Sequence, residues 1–262
     1  MLSTAVAYKL IAGNLDRSLS TTAKKPQVAR ETEYYLAHIG DVKSIDDFLA
    51  DSRLYNYAMK AYGLGDMAYA KAFIKKVLTE GIDSKDAFAN KLTDMRYREF
   101  AKAFNFARDG AAATSTTQAR QGTVDMYVRQ TLEEDAGQQN EGARLALYFE
   151  RKASSITSAY SILGDAALLK VVQTVFNLPV QMSLADIDKQ AKMITDRLNI
   201  QDLKDPEKLK SFLNRFAALY DMQNPSASST QSPAVMLIGG SMPAGIGSNI
   251  LAALQNLKLG GH

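Results

Sequence analysis

The sequence predicts an all-α protein, built of short amphipathic helices packed as helical hairpins in two related helical units. Three observations lead there. Capping residues repeatedly stand just before apolar residues at helical spacing. No stretch alternates polar and apolar residues well enough to form a strand. One ending also recurs: "AYGL" at 61–64, "AFNF" at 103–106, "VFNL" at 175–178 and "LYDM" at 219–222. Each copy places an aromatic residue before Gly, Asn or Asp and an apolar residue after it.

At the N-terminus, Tyr8, Ile11, Leu15 and Leu19 form an apolar stripe followed by the polar stretch "STTAKKPQ". Residues 1–30 therefore read as an amphipathic helix with a basic arm. A first helical unit spans 31–106. In it Ser44 caps "IDDFLA", Asp51 caps "SRLYNYAMKAY", and Asp66 precedes "MAYAKAFIKKVLTE", which ends at Gly81. Asp83 or Ser84 opens "KDAFANKL", and Asp94 opens "MRYREFAKAF". Residues 107–122, "ARDGAAATSTTQARQG", are small, polar and aperiodic, and read as a linker.

The second unit, 123–222, opens at Thr123, with Val124, Tyr127, Val128 and Leu132 on one side. Gly137 and Gly142 interrupt this region or join two helices. From Asp165 the earlier pattern returns: Leu168, Val172, Phe176, Asn177 and Leu178 keep step with Leu54, Ala58, Tyr62, Gly63 and Leu64. Asp205 with Pro206 opens the last helix of the unit. Residues 223–262 read as a flexible Ser/Pro/Gly-rich tail ending in a short amphipathic helix, with Ile250, Leu251, Leu254 and Leu257 as its stripe.

The recurrent ending has a physical reason. Helices commonly stop with one residue in the left-handed conformation, where a Cβ costs roughly 1–2 kcal/mol. Gly avoids that cost, and Asn or Asp lowers it by local hydrogen bonding. Gly63, Asn105, Asn177 and Asp221 are accordingly assigned as structural helix stops. Reuse of the helix-and-stop unit argues for internal duplication.

Composition excludes more than it selects. The 262 residues are 46% hydrophobic and 23% charged, ordinary for a folded soluble chain, and include no cysteine and no tryptophan. Disulfides, thiolate metal sites and cysteine nucleophiles are thereby excluded. The net charge of +3 is uneven: residues 1–30 carry five basic side chains against Asp16 alone, whereas Lys258 is the one charged side chain after 222. The remaining body is mildly acidic, a poor match to a nucleic-acid-binding face. No apolar run is long enough to span a membrane, and the N-terminus lacks the pattern of a cleaved signal peptide.

No catalytic constellation emerges. Of the two histidines, His38 and His262, neither accompanies a nucleophile motif, and one internal histidine without cysteine makes a poor zinc site. Glu133, Glu134 and Asp135 lack the alternation of a calcium loop and read as a solvated helix end. Gly240 and Gly245 have phosphate-loop spacing without the following Lys-Ser/Thr. No cofactor, metal or catalytic residue is assigned. Tyr8, Ile11, Leu15 and Leu19 at one end, with Ile250, Leu251, Leu254 and Leu257 at the other, are the candidate partner-binding residues.

Several whole segments carry a family resemblance: "ARETEYYLAHIGDVKSIDDFLADSRLYNYAMKAYGL", "FANKLTDMRYREFAKAFNF", "ARLALYFERKASSITSAYSILGD" and "DPEKLKSFLNRFAALYDM". Together they resemble the bacterial family called domain of unknown function 1217, over roughly 26–222. The resemblance implies an all-helical protein, often with more than one copy of the domain and with no established enzymatic activity. It also implies a flagellar setting, because genes of the family tend to lie in flagellar clusters. The resulting expectation is a non-enzymatic protein of flagellar assembly or motility, acting through helix-mediated contacts with protein partners and including self-association. It would be made in the cytoplasm and exported to the flagellum without a cleavable signal, as a structural component or export substrate. The alternative is a cytoplasmic chaperone or regulatory module for flagellar proteins.

Overall fold

The protein, seen in a computed structural model that describes residues 2–225, is helical throughout those residues, with no strand among them. Two helices lead: α1 (Thr4–Ala12) and α2 (Leu15–Ala23), separated at Gly13 and Asn14. The first set of body helices follows as α3 (Pro26–His38), α4 (Ile45–Ala50), α5 (Ser52–Ala61), α6 (Lys71–Glu80), α7 (Phe88–Lys91), α8 (Met95–Ala103) and α9 (Phe106–Asp109). The long α10 (Thr123–Gln139) leads to α11 (Glu141–Lys152), α12 (Ala159–Leu163), α13 (Ala166–Phe176), α14 (Ile187–Thr195) and α15 (Pro206–Gln223). Gly137 lies within α10, and the junction to α11 falls at Asn140, whose side chain caps α11 by accepting from the Ala143 amide.

Local chemistry sets most boundaries. Ser44 accepts from the Asp47 amide while Asp47 accepts from the Ser44 amide, a reciprocal capping box that opens α4. Asp51, Asp94, Asp165 and Asp205 each accept from backbone amides at the starts of α5, α8, α13 and α15. Asp66 does not open α6, which begins four residues after a short 3-10 turn over Gly65–Met67. The segment after Gly81 is helical only over the four residues of α7.

The same bonds recur 114 residues apart, from the 3-10 turn after α3 to the stop of α5, and again from the turn after α11 to the stop of α13. The Val42 amide donates to the Ile39 carbonyl as the Ile156 amide does to that of Ala153. Ser44 accepts from Asp47 as Ser158 does from Ser161. Tyr34 donates its hydroxyl to the capping carboxylate of Asp51, and Tyr148 to that of Asp165. At the stops, the Leu64 amide donates to the Met59 carbonyl at 2.8 Å and the Leu178 amide to that of Gln173 at 2.9 Å. These are the six-to-one bonds of a left-handed helix end. Gly63 has φ 69° and Asn177 φ 49°.

The other two assigned stops differ. Asn105 has φ −78° and instead caps α9, its side chain accepting from the Arg108 amide. The left-handed positions nearby are Gly81 and Gly110, at φ 63° and 51°. A Cβ on Gly81 would lie 2.8 Å from the Asn105 carboxamide oxygen, so the chain needs Gly there on both counts. Asp221 does not end its helix, because α15 continues to Gln223. Gly63→Ala is therefore expected to cost about 1–2 kcal/mol, since an added Cβ would make only ordinary contacts, 3.7 Å or more from Arg96 and Gln130, leaving backbone strain as the cost. Asn177→Gly should cost nothing, and Asn105→Gly should lose a cap. Thermal unfolding of the three variants checks this ranking.

Two hydrophobic cores result. The first draws on α3 to α9 and the start of α10, and is aromatic: Phe104 packs tilted on Phe48 and Phe100, Tyr62 meets Phe100 edge-on, and Tyr57 stacks between Tyr35 and Tyr127. The second, built by α1 and α11 to α15, is mostly aliphatic around Leu145, Val171, Val172, Ile194 and Phe216. Residues 107–122, expected as a linker, are ordered against the first core. A 3-10 segment, Gly110–Ser115, and a π turn, Gln118–Gly122, bury Ala113, Thr114 and Ala119 completely. Ala119 accepts from the buried Tyr35 hydroxyl, and Thr114 donates to the Val42 carbonyl.

Several surface carboxylates are held below their ordinary pKa. The Ser44 hydroxyl and then the Lys43 amide lower Asp47, Arg53 lowers Glu31, and Arg108 lowers Asp109. A depressed folded-state pKa contributes stability above the unfolded value that is lost as pH falls through the folded one. Unfolding temperature should therefore be flat above about pH 5 and fall below about pH 4, with Asp47→Asn showing a shallower acid slope.

Candidate protein-contact surface

The N-terminal helix is the most distinctive surface element. Its inner face is docked: Thr4 and Tyr8 are buried and Ile11 packs on the second core. Both oxygens of Asp221 accept from the Thr4 amide at 3.0 Å, which places a carboxylate at the positive end of α1. The Thr4 hydroxyl bonds the Asn140 carboxamide oxygen at 3.0 Å, and Asn140 donates in turn to the Leu2 carbonyl at 3.1 Å. One asparagine thus caps α11 and ties down the start of α1. Gly142 is required beneath them: a Cβ there would meet the Thr4 side chain at 2.5 Å.

The expected stripe is split by the break at Gly13. Tyr8 and Ile11 join the second core, while Leu19, on α2, packs partly buried against the first. Leu15 is half-buried. All four lie on or near the body, so they serve first as packing residues. Ile250, Leu251, Leu254 and Leu257 lie outside the described residues, as does the glycine-rich stretch around Gly240 and Gly245.

The opposite face of α1 carries a signal that the sequence reading missed. Leu2, Val6 and Leu10, spaced by four, are 54%, 51% and 62% exposed. Leu10 also edges a groove of about 420 Å³ between α1, α2 and α10, whose apolar lining includes Ala7, Leu132 and Ala136. The Lys25–Asp135 ion pair, at 2.6 Å, stands at its rim. A helix apolar on its outer as well as its inner face suits contact with a second helix.

The charged cluster around Glu133 is mutually paired. Glu133, expected at a solvated helix end, is 1% exposed. Arg129 donates to it at 2.9 Å and Arg151 at 2.8 and 2.7 Å, while Glu134 pairs with Lys60 at the surface. Lys152 donates to Glu99, and both line a cleft of about 300 Å³ with Lys102, Tyr62 and Ser155. Of its charged groups, Glu99 pairs with Lys152 and Arg151 with Glu133. Burial, helped by the adjacent Asp165 carboxylate, pushes the Tyr148 hydroxyl well above the ordinary phenol value. His38 is exposed, stacks on Tyr34, and bonds the Tyr34 carbonyl through Nδ1 at 2.8 Å. Among the described residues, no group of three or more His, Asp or Glu side chains could hold a metal ion, and no helix is long and apolar enough to cross a membrane.

Comparison with known proteins adds a family and a crystal structure. The family model described as protein of unknown function (DUF1217) matches residues 61–209. A structural-genomics crystal structure of a protein from Agrobacterium tumefaciens is 56% identical in sequence and superposes with a TM-score of 0.80. The match covers 86% of this chain and 98% of that one. No curated protein matches the chain.

Proposed function

The chain belongs to the DUF1217 family, and from that premise we propose that it is a non-enzymatic protein of bacterial flagellar assembly or motility, acting through helix-mediated contacts with other proteins. The flagellar setting rests on the gene neighbourhoods that the family resemblance implies. The mode of action rests on α1 and the residue just before it, where Leu2, Val6 and Leu10 are exposed and Leu10 borders the groove between α1, α2 and α10. That stripe, on a helix anchored at its own N-terminus by Asp221, is the single observation that carries the reading. The body behind it is two related helical units produced by internal duplication, which the 114-residue recurrence of caps, tyrosine–aspartate bonds and stops supports. The units act as a rigid platform, and export as a structural component is the proposed fate.

The test is cellular location combined with a surface variant. An internally tagged chain is fractionated from cells with and without a working flagellar export apparatus. Appearance outside the cytoplasm only when export works supports a structural component or substrate. Retention in both strains would overturn export and favour a cytoplasmic chaperone for flagellar proteins. Val6→Asp combined with Leu10→Asp should leave the unfolding temperature within a few degrees of wild type, because both residues are solvent-facing, yet abolish incorporation or client binding. Unchanged behaviour in cells would show that α1 is not the contact.

A further inference from the structure

We propose that the protein self-associates head to tail, the outer stripe of α1 on one copy docking on an exposed apolar patch formed by α12, α14 and the turn before α14 on the next. The inference rests on the reading of α1 as a contact helix and names its partner, a second copy of this chain. The receiving patch lies in the second unit. Val180 and Leu184, on the 3-10 turn Val180–Leu184 between α13 and α14, are 68% and 88% exposed. Ile187, in the first turn of α14, and Tyr160, on α12, are about half-exposed. The Tyr160 hydroxyl donates to Asp188 at 2.6 Å, tying α12 to the start of α14. The Gln190 side-chain amide donates to the Ala185 carbonyl at 2.7 Å, which ties the turn to the same helix.

The turn itself does not require apolar side chains at these positions. In the first unit, 114 residues earlier, the counterparts of Val180 and Leu184 are Asp66 and Ala70, one charged and one small. A valine and a leucine left in water forgo the burial that a partner would supply, and an exposed apolar patch of this kind marks a contact surface. Within one copy the two surfaces stay apart. Both are exposed while α1 is held on α11 and α15, its first amide bonded to Asp221.

Charge favours pairing of the unlike surfaces. Residues 1–30 carry five basic side chains against Asp16, and of the five only Lys25 has an ion-pair partner among the described residues. Lys9 immediately precedes Leu10, and Arg17 lines the groove that Leu10 edges. Residues 179–188, by contrast, carry Asp186 and Asp188 and no basic side chain. Among the described residues these carboxylates accept from the Asp188 amide and the Tyr160 hydroxyl, neither of them a cation. Lys189 lies two residues after Ile187, about 200° further round α14, and so projects from its other side. Pairing α1 with α1 would set basic groups against basic ones, and pairing the two patches would set acid against acid. Stripe on patch joins apolar to apolar and basic to acidic. Because the two surfaces differ, the contact is heterologous and passes from copy to copy, into a ring or an open chain.

The test is sedimentation velocity of the full-length protein over a concentration series. The wild type should form assemblies that grow with concentration and weaken as salt is raised. Val6→Asp with Leu10→Asp removes the stripe, and Val180→Asp with Leu184→Asp removes the patch. All four side chains face solvent, so neither double variant should lose more than a few degrees of unfolding temperature. Each alone should associate at least about tenfold more weakly than wild type. Mixed in equal amounts, the two should form a heterodimer and nothing larger, because each keeps the surface that the other has lost. A wild type that stays monomeric at every concentration, undiminished association of the patch variant, or a mixture without heterodimer would each overturn the proposal. Should a double variant fail to fold, Leu10→Ser and Leu184→Ser take their places in the same mixing experiment. A monomeric wild type whose Val6→Asp with Leu10→Asp variant still fails in cells would sink this pairing and leave the contact role of α1 standing.

Discussion

Replacing Glu133 with alanine is expected to destabilise the protein by about 3–5 kcal/mol. The carboxylate is almost completely buried and neutralises Arg129 and Arg151, whose side chains are themselves 10% and 13% exposed. Removing it leaves two guanidinium groups near each other with one partner gone. Arg129 retains only the Leu147 carbonyl, at 3.1 Å, and Arg151 the Gln130 carboxamide oxygen, also at 3.1 Å. Neither can lose its proton, so the like-charge repulsion cannot be relieved by titration. Because α10 carries Arg129 and Glu133 whereas α11 carries Arg151, the variant should loosen the contact between these two helices. Chemical denaturation gives the magnitude, and amide exchange should quicken first along α10 and α11. Glu133→Gln should lose less, since the amide oxygen still accepts. Replacing all three residues with apolar side chains of similar volume should restore most of the loss, because a buried ion cluster contributes little over good packing. A loss below about 1 kcal/mol for Glu133→Ala would mean that water already reaches the cluster.

Glu133 also shows what a sequence can and cannot disclose. Arg129 and Glu133 are four apart on a helix, so that pair was legible; Arg151, which converts the pair into a buried triad, lies 18 residues beyond Glu133 and was not. Caps were legible because they are local: Ser44, Asp51, Asp94, Asp165 and Asp205 all bond amides two or three residues ahead. Asn105 and Asp221 resemble stops because Asn and Asp serve at both ends of helices. Which end they serve depends on the next element for Asn105 and on a residue 217 positions away for Asp221. The segment 107–122 looks loose in sequence for another reason. Alanine and threonine bury readily but mark no periodicity, and the partners of this segment, Tyr35 and Val42, come from far earlier in the chain. On α1, the spacing of Tyr8 and Ile11 disclosed the docked face. Leu2, Val6 and Leu10 were equally visible at helical spacing, yet only the fold shows that nothing among the described residues covers them.

Gly142→Ala is the sharpest test of how α1 is held. Gly63, Gly81 and Gly110 are kept for their backbone angles, but Gly142 sits within α11 and is kept for space. An added Cβ would lie 2.5 Å from the Thr4 hydroxyl, 2.6 Å from the Tyr220 ring and 2.7 Å from the Thr4 methyl. Three contacts on two helices cannot all be relieved by one rotamer change, so α1 must lift from α11 and α15. Overpacking of this kind costs about 1–3 kcal/mol. The shift would also lengthen the bonds from Asp221 to the Thr4 amide and from Thr4 to Asn140. Amide exchange should therefore quicken through α1 while the aromatic first core, which Thr4 does not touch, keeps its protection. Thr4→Ala in the same chain should relieve part of the clash, making the double variant less destabilised than the sum of the single ones. Because Val6 and Leu10 lie on α1 and Leu2 just precedes it, Gly142→Ala should also weaken partner contact without altering any exposed residue. If contact survives in a variant whose α1 exchanges freely, the partner does not need a docked helix, and the stripe alone carries recognition.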